Sequence, residues 1–235
     1  EIGTLHPVNE IGKLAKERGI FFHSDAAQAL GKVPVDVEAS GIDLLTLSAH
    51  KFYGPKGVGA LYLRARHPRV RPAPIFFGGG HERGIRSGTL NVPGIVGMGA
   101  AAEIAVLEMP EESRRLRALR DRLWEGLQQG LSGVSCNGHP EERLPHNLNV
   151  TFAGVRSEAL MMDLRGIAVS SGSACSSAQA TPSHVLRAIG LSEEAAKSSI
   201  RYGLGKSSTE AQIDEVIAKT VAAVRRLRES GPSGE

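Results

Sequence analysis

Cysteine is scarce in this 235-residue chain, with Cys136 and Cys175 its only two. Two thiols cannot build a disulfide framework, so a reducing, cytoplasmic setting is the expectation. Long uninterrupted apolar runs are missing as well. None approaches the roughly 18 residues of a membrane span, and no signal-peptide pattern opens the chain. The sequence starts on Glu1 in a loop-like stretch, which points to a missing N-terminal part. Excess charge is small: 28 basic against 25 acidic residues leave +3. That balance excludes a charged disordered tail as the main feature. The basic residues read as scattered, so neither direct DNA binding nor membrane binding is expected.

Glycine is what the chain does have in excess. The 28 glycines in 235 residues make 12%, against an ordinary share of about 7%. Without collagen-like repetition, they imply tight turns and sites lined by backbone. The first hundred residues alternate helix and strand signals. A helical stretch over 9–18 stops at Gly19, and Ile20-Phe21-Phe22-His23 then reads as a short buried strand ending at Asp25. Leu44–Ser48 and Gly59–Leu63 read as further strands, and 93–109 as a long helix rich in small residues. Alternation of this kind predicts an α/β sheet covered on both faces.

Pro110 reads as punctuation. Beyond it Leu116, Leu119, Leu123 and Leu127 form an amphipathic stripe. Residues 147–152 alternate polar and apolar as a half-buried strand, 167–169 and 200–202 read as short strands, and Thr209 with Gln212 forms a capping box for a terminal helix. The expected organisation is a larger α/β part over 1–109 and a smaller α+β part over 110–235.

Four constellations carry possible chemistry. Asp25, at a strand end and followed by Ala26-Ala27-Gln28, is either a turn or cap aspartate or a carboxylate that meets a cationic ring nitrogen. Lys51, in Ser48-Ala49-His50-Lys51 after another strand, is either a solvated loop lysine or an amine crowded by positive charge, ready to form an imine. The nearby glycines do not complete a Walker pattern. Gly78-Gly79-Gly80 through Arg86-Ser87-Gly88-Thr89 is either a phosphate contact or a flexible surface loop. Cys175, among the small residues 170–178, suits an accessible reactive thiol, whereas Cys136 reads as inert packing or turn. The eight histidines are dispersed, and no metal site is expected.

Together these motifs resemble a pyridoxal-phosphate-dependent cysteine desulfurase of the IscS/NifS type, within the class V aminotransferase fold. The resemblance runs through nearly the whole chain in order. It implies an aspartate aminotransferase-like large-domain remnant followed by a smaller α+β domain with the cysteine loop. It implies pyridoxal 5'-phosphate as cofactor, in a Schiff base on Lys51. Asp25 would pair with the pyridine nitrogen and Gln28 with the phenolic oxygen. Ser48 and His50 would bind the phosphate, His50 also counting with Lys51 and Cys175 as catalytic. Thr89 would reach the phosphate in the neighbouring subunit of a homodimer. Arg201 would hold the substrate α-carboxylate, and Cys175 would accept sulfur from L-cysteine, leaving L-alanine. The persulfide would then pass to an iron–sulfur scaffold, with which Cys175 would transiently ligate a cluster, or to another acceptor such as the tRNA-thiolation machinery. The family's N-terminal cofactor-binding segment is not in this sequence, so the chain by itself is expected to hold the cofactor poorly. Alternatives are a selenocysteine lyase or another enzyme of the class V fold, or a non-catalytic sulfur-relay or scaffold-binding fragment.

Overall fold

The computed structural model describes residues 1–171 and 182–231. Two compact units account for the chain: His6–Pro110, and Glu1–Leu5 together with Glu111–Glu235.

The His6–Pro110 unit is α/β. Helix α1 (Val8–Glu17) is followed by strands β1 (His23–Asp25), β2 (Leu44–Ser48) and β3 (Gly59–Leu63). Their order is β1-β2-β3. β1 runs parallel to β2 with Asp25 opposite Thr46, and β3 is antiparallel to β2 with Gly59 opposite Ser48. Because side chains alternate along a strand, this register separates two faces. Leu45 and Leu47 join Ala26, Ile42, Phe22, Val35, Val37 and Tyr62 in an apolar layer on one. His23, Asp25, Thr46 and Ser48 share the other. The apolar run before β1 is not the buried strand its composition suggests. The strand begins at His23, while Ile20 and Phe21 are 59% and 56% exposed. An apolar run predicts extended backbone, but it does not say whether anything covers it.

Helix α2 (Val92–Gly130) spans 39 residues with Pro110 inside it, so Pro110 does not end the helix as expected. Proline removes the bond to the carbonyl four residues back, here that of Val106. Val106 is 55% exposed, and its carbonyl can turn to solvent. Within the His6–Pro110 unit the small residues of α2 allow close approach. A Cβ on Gly97 would lie 2.7 Å from Pro55 Cγ, and one on Gly31 would lie 2.9 Å from Ala105 Cβ. An 18-residue window of α2 has mean hydropathy 1.5 with only 17% of it buried, making it long and apolar enough by composition to cross a membrane. Its apolar side chains Val92, Ile95, Val96, Ile104 and Leu107 are exposed.

The other unit is α+β. Strands β4 (Val134–Cys136), β5 (Asn147–Phe152) and β6 (Ser199–Gly203) form an antiparallel sheet in that order. Short helices α3 (Ser157–Asp163), α4 (His184–Ala188) and α5 (Glu193–Lys197) precede β6, and α6 (Glu210–Glu229) closes the unit. Leu116, Leu123, Leu127, Leu148, Val150, Phe152, Leu160, Ile200 and Val224 form the core. The leucine stripe of α2 faces inward as expected, each buried side chain contributing about 1.5–3 kcal/mol. Gly126 and Gly130 let α6 approach α2, since a Cβ at either would sit 2.5 Å from Ile217 or Val221. The capping box forms as read: Thr209 Oγ1 accepts from the Gln212 N–H, and the Thr209 N–H donates to Gln212 Oε1.

Two expectations fail in this unit. Residues 167–169 form no strand; only Ser170 bridges to Arg201. β5 is buried on both faces rather than one. Asn137 Nδ2 donates to Asn149 Oδ1 at 2.7 Å and to Thr151 Oγ1 at 2.9 Å, and Thr151 Oγ1 lies 2.8 Å from Ser199 Oγ. Asn137 and Ser199, from distant segments of sequence, thus pair Asn149 Oδ1 and the Thr151 hydroxyl, while Asn149 Nδ2 and Asn147 Oδ1 are buried without a partner among the described residues. At the surface, hydrogen bonds from Arg122 hold the Asp214 carboxyl below its ordinary range, and Lys197 does the same to Glu193. Carboxyls depressed in the folded state stabilise it above their unfolded pKa and lose that contribution as pH falls through the folded one. Solvent exposure keeps both contributions small.

Candidate active site

Two strand ends and one turn build the site in the His6–Pro110 unit. Asp25 closes β1, and its Oδ1 accepts the Ala27 N–H at 2.8 Å. This is the turn role expected of an aspartate there. It engages only one oxygen, and Oδ2 has no partner among the described residues. Asp25 lies opposite Thr46, so the two backbones are roughly 4.8 Å apart, and Ser48 follows on the same face.

Immediately after Ser48 the chain turns through a 3-10 helix, Ala49–Phe52, closed by Tyr53 in the left-handed region at φ 68° and by a Gly54 N–H to Ala49 carbonyl bond of 2.9 Å. Residues three apart eclipse in a 3-10 turn. Ala49 and Phe52, 0% and 1% exposed, thus anchor the same side against Ala105, Met98 and Ala101 of α2. His50 is left exposed and Lys51 half-buried. Gly54 permits the fit, since a Cβ there would approach Ala49 to 3.0 Å. Phe52→Ala is therefore expected to cost about 3–5 kcal/mol of stability. Chemical denaturation should show it as a lower midpoint, and no change would mean that Phe52 does not hold the turn.

Gln28, Ser48, His50 and Lys51 make no side-chain hydrogen bond or ion pair with the described residues. By contrast Lys32, the buried lysine of this unit, lies 4.5 Å from the Tyr53 ring centroid and 3.3 Å from its hydroxyl. Uncommitted donors and acceptors gathered at strand ends fit a polar, anionic ligand. Sequence reading passed over His23 and Thr46, whose Nε2 and Oγ1 lie 2.7 Å apart beside Asp25. The signal was present, because His23 and Asp25 two residues apart must share a face.

Thr89 lies in the same unit, exposed and without a side-chain partner, in a glycine-rich loop. There Phe76 bridges to Arg86, and the Gly88 N–H donates to His81 Nδ1 at 3.3 Å.

In the other unit Arg201 sits on β6 opposite Asn149. Its backbone bonds Ser170 on both sides, at 2.6 and 3.2 Å, while its guanidinium has no partner among the described residues. The chain thus enters the 172–181 segment from a point fixed against Arg201. Cys175 itself lies outside the described residues. Cys136 is on β4, not in a turn, with Arg143 Nη1 2.7 Å from its sulfur. Among the described residues no group of His, Cys, Asp or Glu could hold a metal.

The aminotransferase class-V family model matches residues 1–216. The chain belongs to this family. Among curated class V relatives, a cysteine desulfurase IscS from Anaeromyxobacter dehalogenans (strain 2CP-C) is 59% identical over 232 residues. The match covers 99% of this chain and 57% of that relative. Among solved structures, a NifS-like protein superposes with TM-score 0.84 at 37% identity, covering 96% of this chain and 59% of the other. A NifS-like protein from Rickettsia africae gives 0.82 at 32%, covering 97% and 59%. The expected α/β pyridoxal-phosphate transferase fold is therefore the one present. The chain spans about 57% of the length of the curated class V relative it matches.

Proposed function

We propose that this chain carries the lysine, the cofactor-facing polar groups and the sulfur-accepting cysteine of a pyridoxal-phosphate-dependent cysteine desulfurase. The observation that carries the reading is the gathering of idle polar groups at the ends of β1 and β2, with Lys51 on a turn anchored by Phe52. Lys51 would hold the cofactor through its aldehyde, Asp25 would face the pyridine nitrogen, Gln28 the phenolic oxygen, and Ser48 and His50 the phosphate. When bound, the protonated ring supplies an electron sink at the substrate Cα.

The chain's own residues supply the rest. Arg201 grips the α-carboxylate of L-cysteine through two parallel N–H donors. Lys51 moves the proton at Cα. The Cys175 thiolate attacks the substrate sulfur; the substrate C–S bond breaks, its electron pair stays with carbon and takes up a proton, and L-alanine leaves. Cys175 keeps the sulfur as a persulfide for an iron–sulfur scaffold or another acceptor. Residues 1–109 are the C-terminal part of the cofactor domain and 110–235 the small domain. A homodimer lets Thr89 reach the neighbouring cofactor's phosphate, and the setting is cytoplasmic.

Borohydride reduction of the chain in excess pyridoxal phosphate, followed by peptide mass mapping, tests the assignment. The tag is expected on Lys51. Labelling spread over Lys32, Lys51 and Lys56 alike would remove the special status of Lys51.

A further inference from the structure

The Asp25 carboxylate has two donors of its own chain close by. One is the Ala27 N–H, which Oδ1 accepts at 2.8 Å. The other is the Thr46 hydroxyl. Thr46 is the partner of Asp25 across the parallel pair β1 and β2, so the two side chains rise from the same face with their backbones roughly 4.8 Å apart. A hydroxyl and a carboxylate so placed can meet, and an O–H given to a carboxylate makes one of the stronger hydrogen bonds. No such bond is present. Thr46 Oγ1 lies 2.7 Å from His23 Nε2 instead, while Asp25 Oδ2 has no partner among the described residues. The strand itself brings His23 there, two residues before Asp25 and therefore on the same face.

A threonine hydroxyl has one proton to give, and a neutral imidazole has one nitrogen that accepts. With its proton on His23 Nε2, Thr46 no longer competes for Asp25 Oδ2. If His23 were the donor, the Thr46 proton would be left over, and the carboxylate opposite would draw it. The unengaged Oδ2 therefore selects Nε2 as the acceptor. Removing that acceptor would turn Thr46 toward Asp25 and close the oxygen that a ligand needs.

We propose that His23 is a positioning residue: by accepting the Thr46 hydroxyl it keeps the second oxygen of Asp25 open for the ring N–H of the cofactor. The inference rests on the function proposed above and adds to it a residue that acts on the cofactor only through Thr46 and Asp25.

The test is borohydride labelling of Lys51 over a range of pyridoxal phosphate concentrations, read as the concentration that half-saturates the label. His23→Phe frees the Thr46 proton for Asp25 and should raise that concentration by about five- to tenfold, the scale of one competing hydrogen bond. His23→Gln, whose amide oxygen still accepts, should stay within about twofold of wild type. Thr46→Val removes the competing donor, so in that background His23→Phe should add less than about twofold. The same titration with the pyridoxal phosphate analogue that carries C–H in place of the ring nitrogen separates positioning from folding. With no ring N–H to give, the analogue should label wild type and His23→Phe alike. An unchanged half-saturation in His23→Phe, an equal loss in the Thr46→Val background, or an equal loss with the analogue would overturn the proposal while Lys51 stays labelled. Wild-type label spread evenly over the lysines would instead bring it down together with the function on which it rests.

Discussion

Cys175→Ala should abolish persulfide formation from L-cysteine while leaving pyridoxal phosphate attached at Lys51. Sulfur transfer needs a nucleophile that can hold the sulfur after the C–S bond breaks, and alanine has none. A drop of at least about 10²–10³-fold in sulfide released under reductant is expected, the scale on which loss of a covalent participant is felt. The separation of the two readouts matters. A thiol that merely supported folding would take cofactor attachment down with it. Cys136 is the internal control: it sits on β4 with Arg143 at 2.7 Å from its sulfur, so Cys136→Ala should leave persulfide on Cys175. Undiminished sulfur transfer by Cys175→Ala would favour a lyase that releases its product without an enzyme thiol.

Lys51→Ala should be at least as damaging, by roughly 10³-fold or more, because under the proposed function it removes both the covalent tether and the group that moves the Cα proton. It should also erase the borohydride-fixed label. The neighbouring lysines do not replace it. Lys32 is 5% exposed and held against Tyr53, and Lys56 lies beyond the anchored turn, in an exposed stretch. Since Ala49 and Phe52 rather than Lys51 fix the turn, the alanine variant should unfold at the wild-type denaturant midpoint. A variant that loses stability together with labelling would recast Lys51 as a structural residue.

The local parts of this site were legible because their causes are local. β2 and β3 occupy 44–48 and 59–63 as read, since each is an apolar run bounded by turn residues, and the capping box needs only Thr209 and Gln212. Asp25 holds its turn reading: one oxygen accepts the Ala27 N–H, and the other meets no described group. What the sequence hid depends on distant partners. Asn149 and Thr151 looked like part of a solvent face, because nothing in 147–152 announces that Asn137 and Ser199 will meet them. Pro110 looked like a stop because its local cost is real, yet leucine packing on one side and small-residue packing on the other carry α2 through it. Ile20 and Phe21 looked buried because composition records the apolar character of a residue and not its cover.

The central claim is that Lys51 and Cys175 serve one reaction. Mass mapping of the chain after a single exposure to excess pyridoxal phosphate and L-cysteine tests it most directly. One added sulfur atom should appear on the Cys175 peptide of the wild type and be missing from the same peptide of Lys51→Ala. Sulfur found on Cys175 regardless of Lys51, or found chiefly on Cys136, would contradict the account.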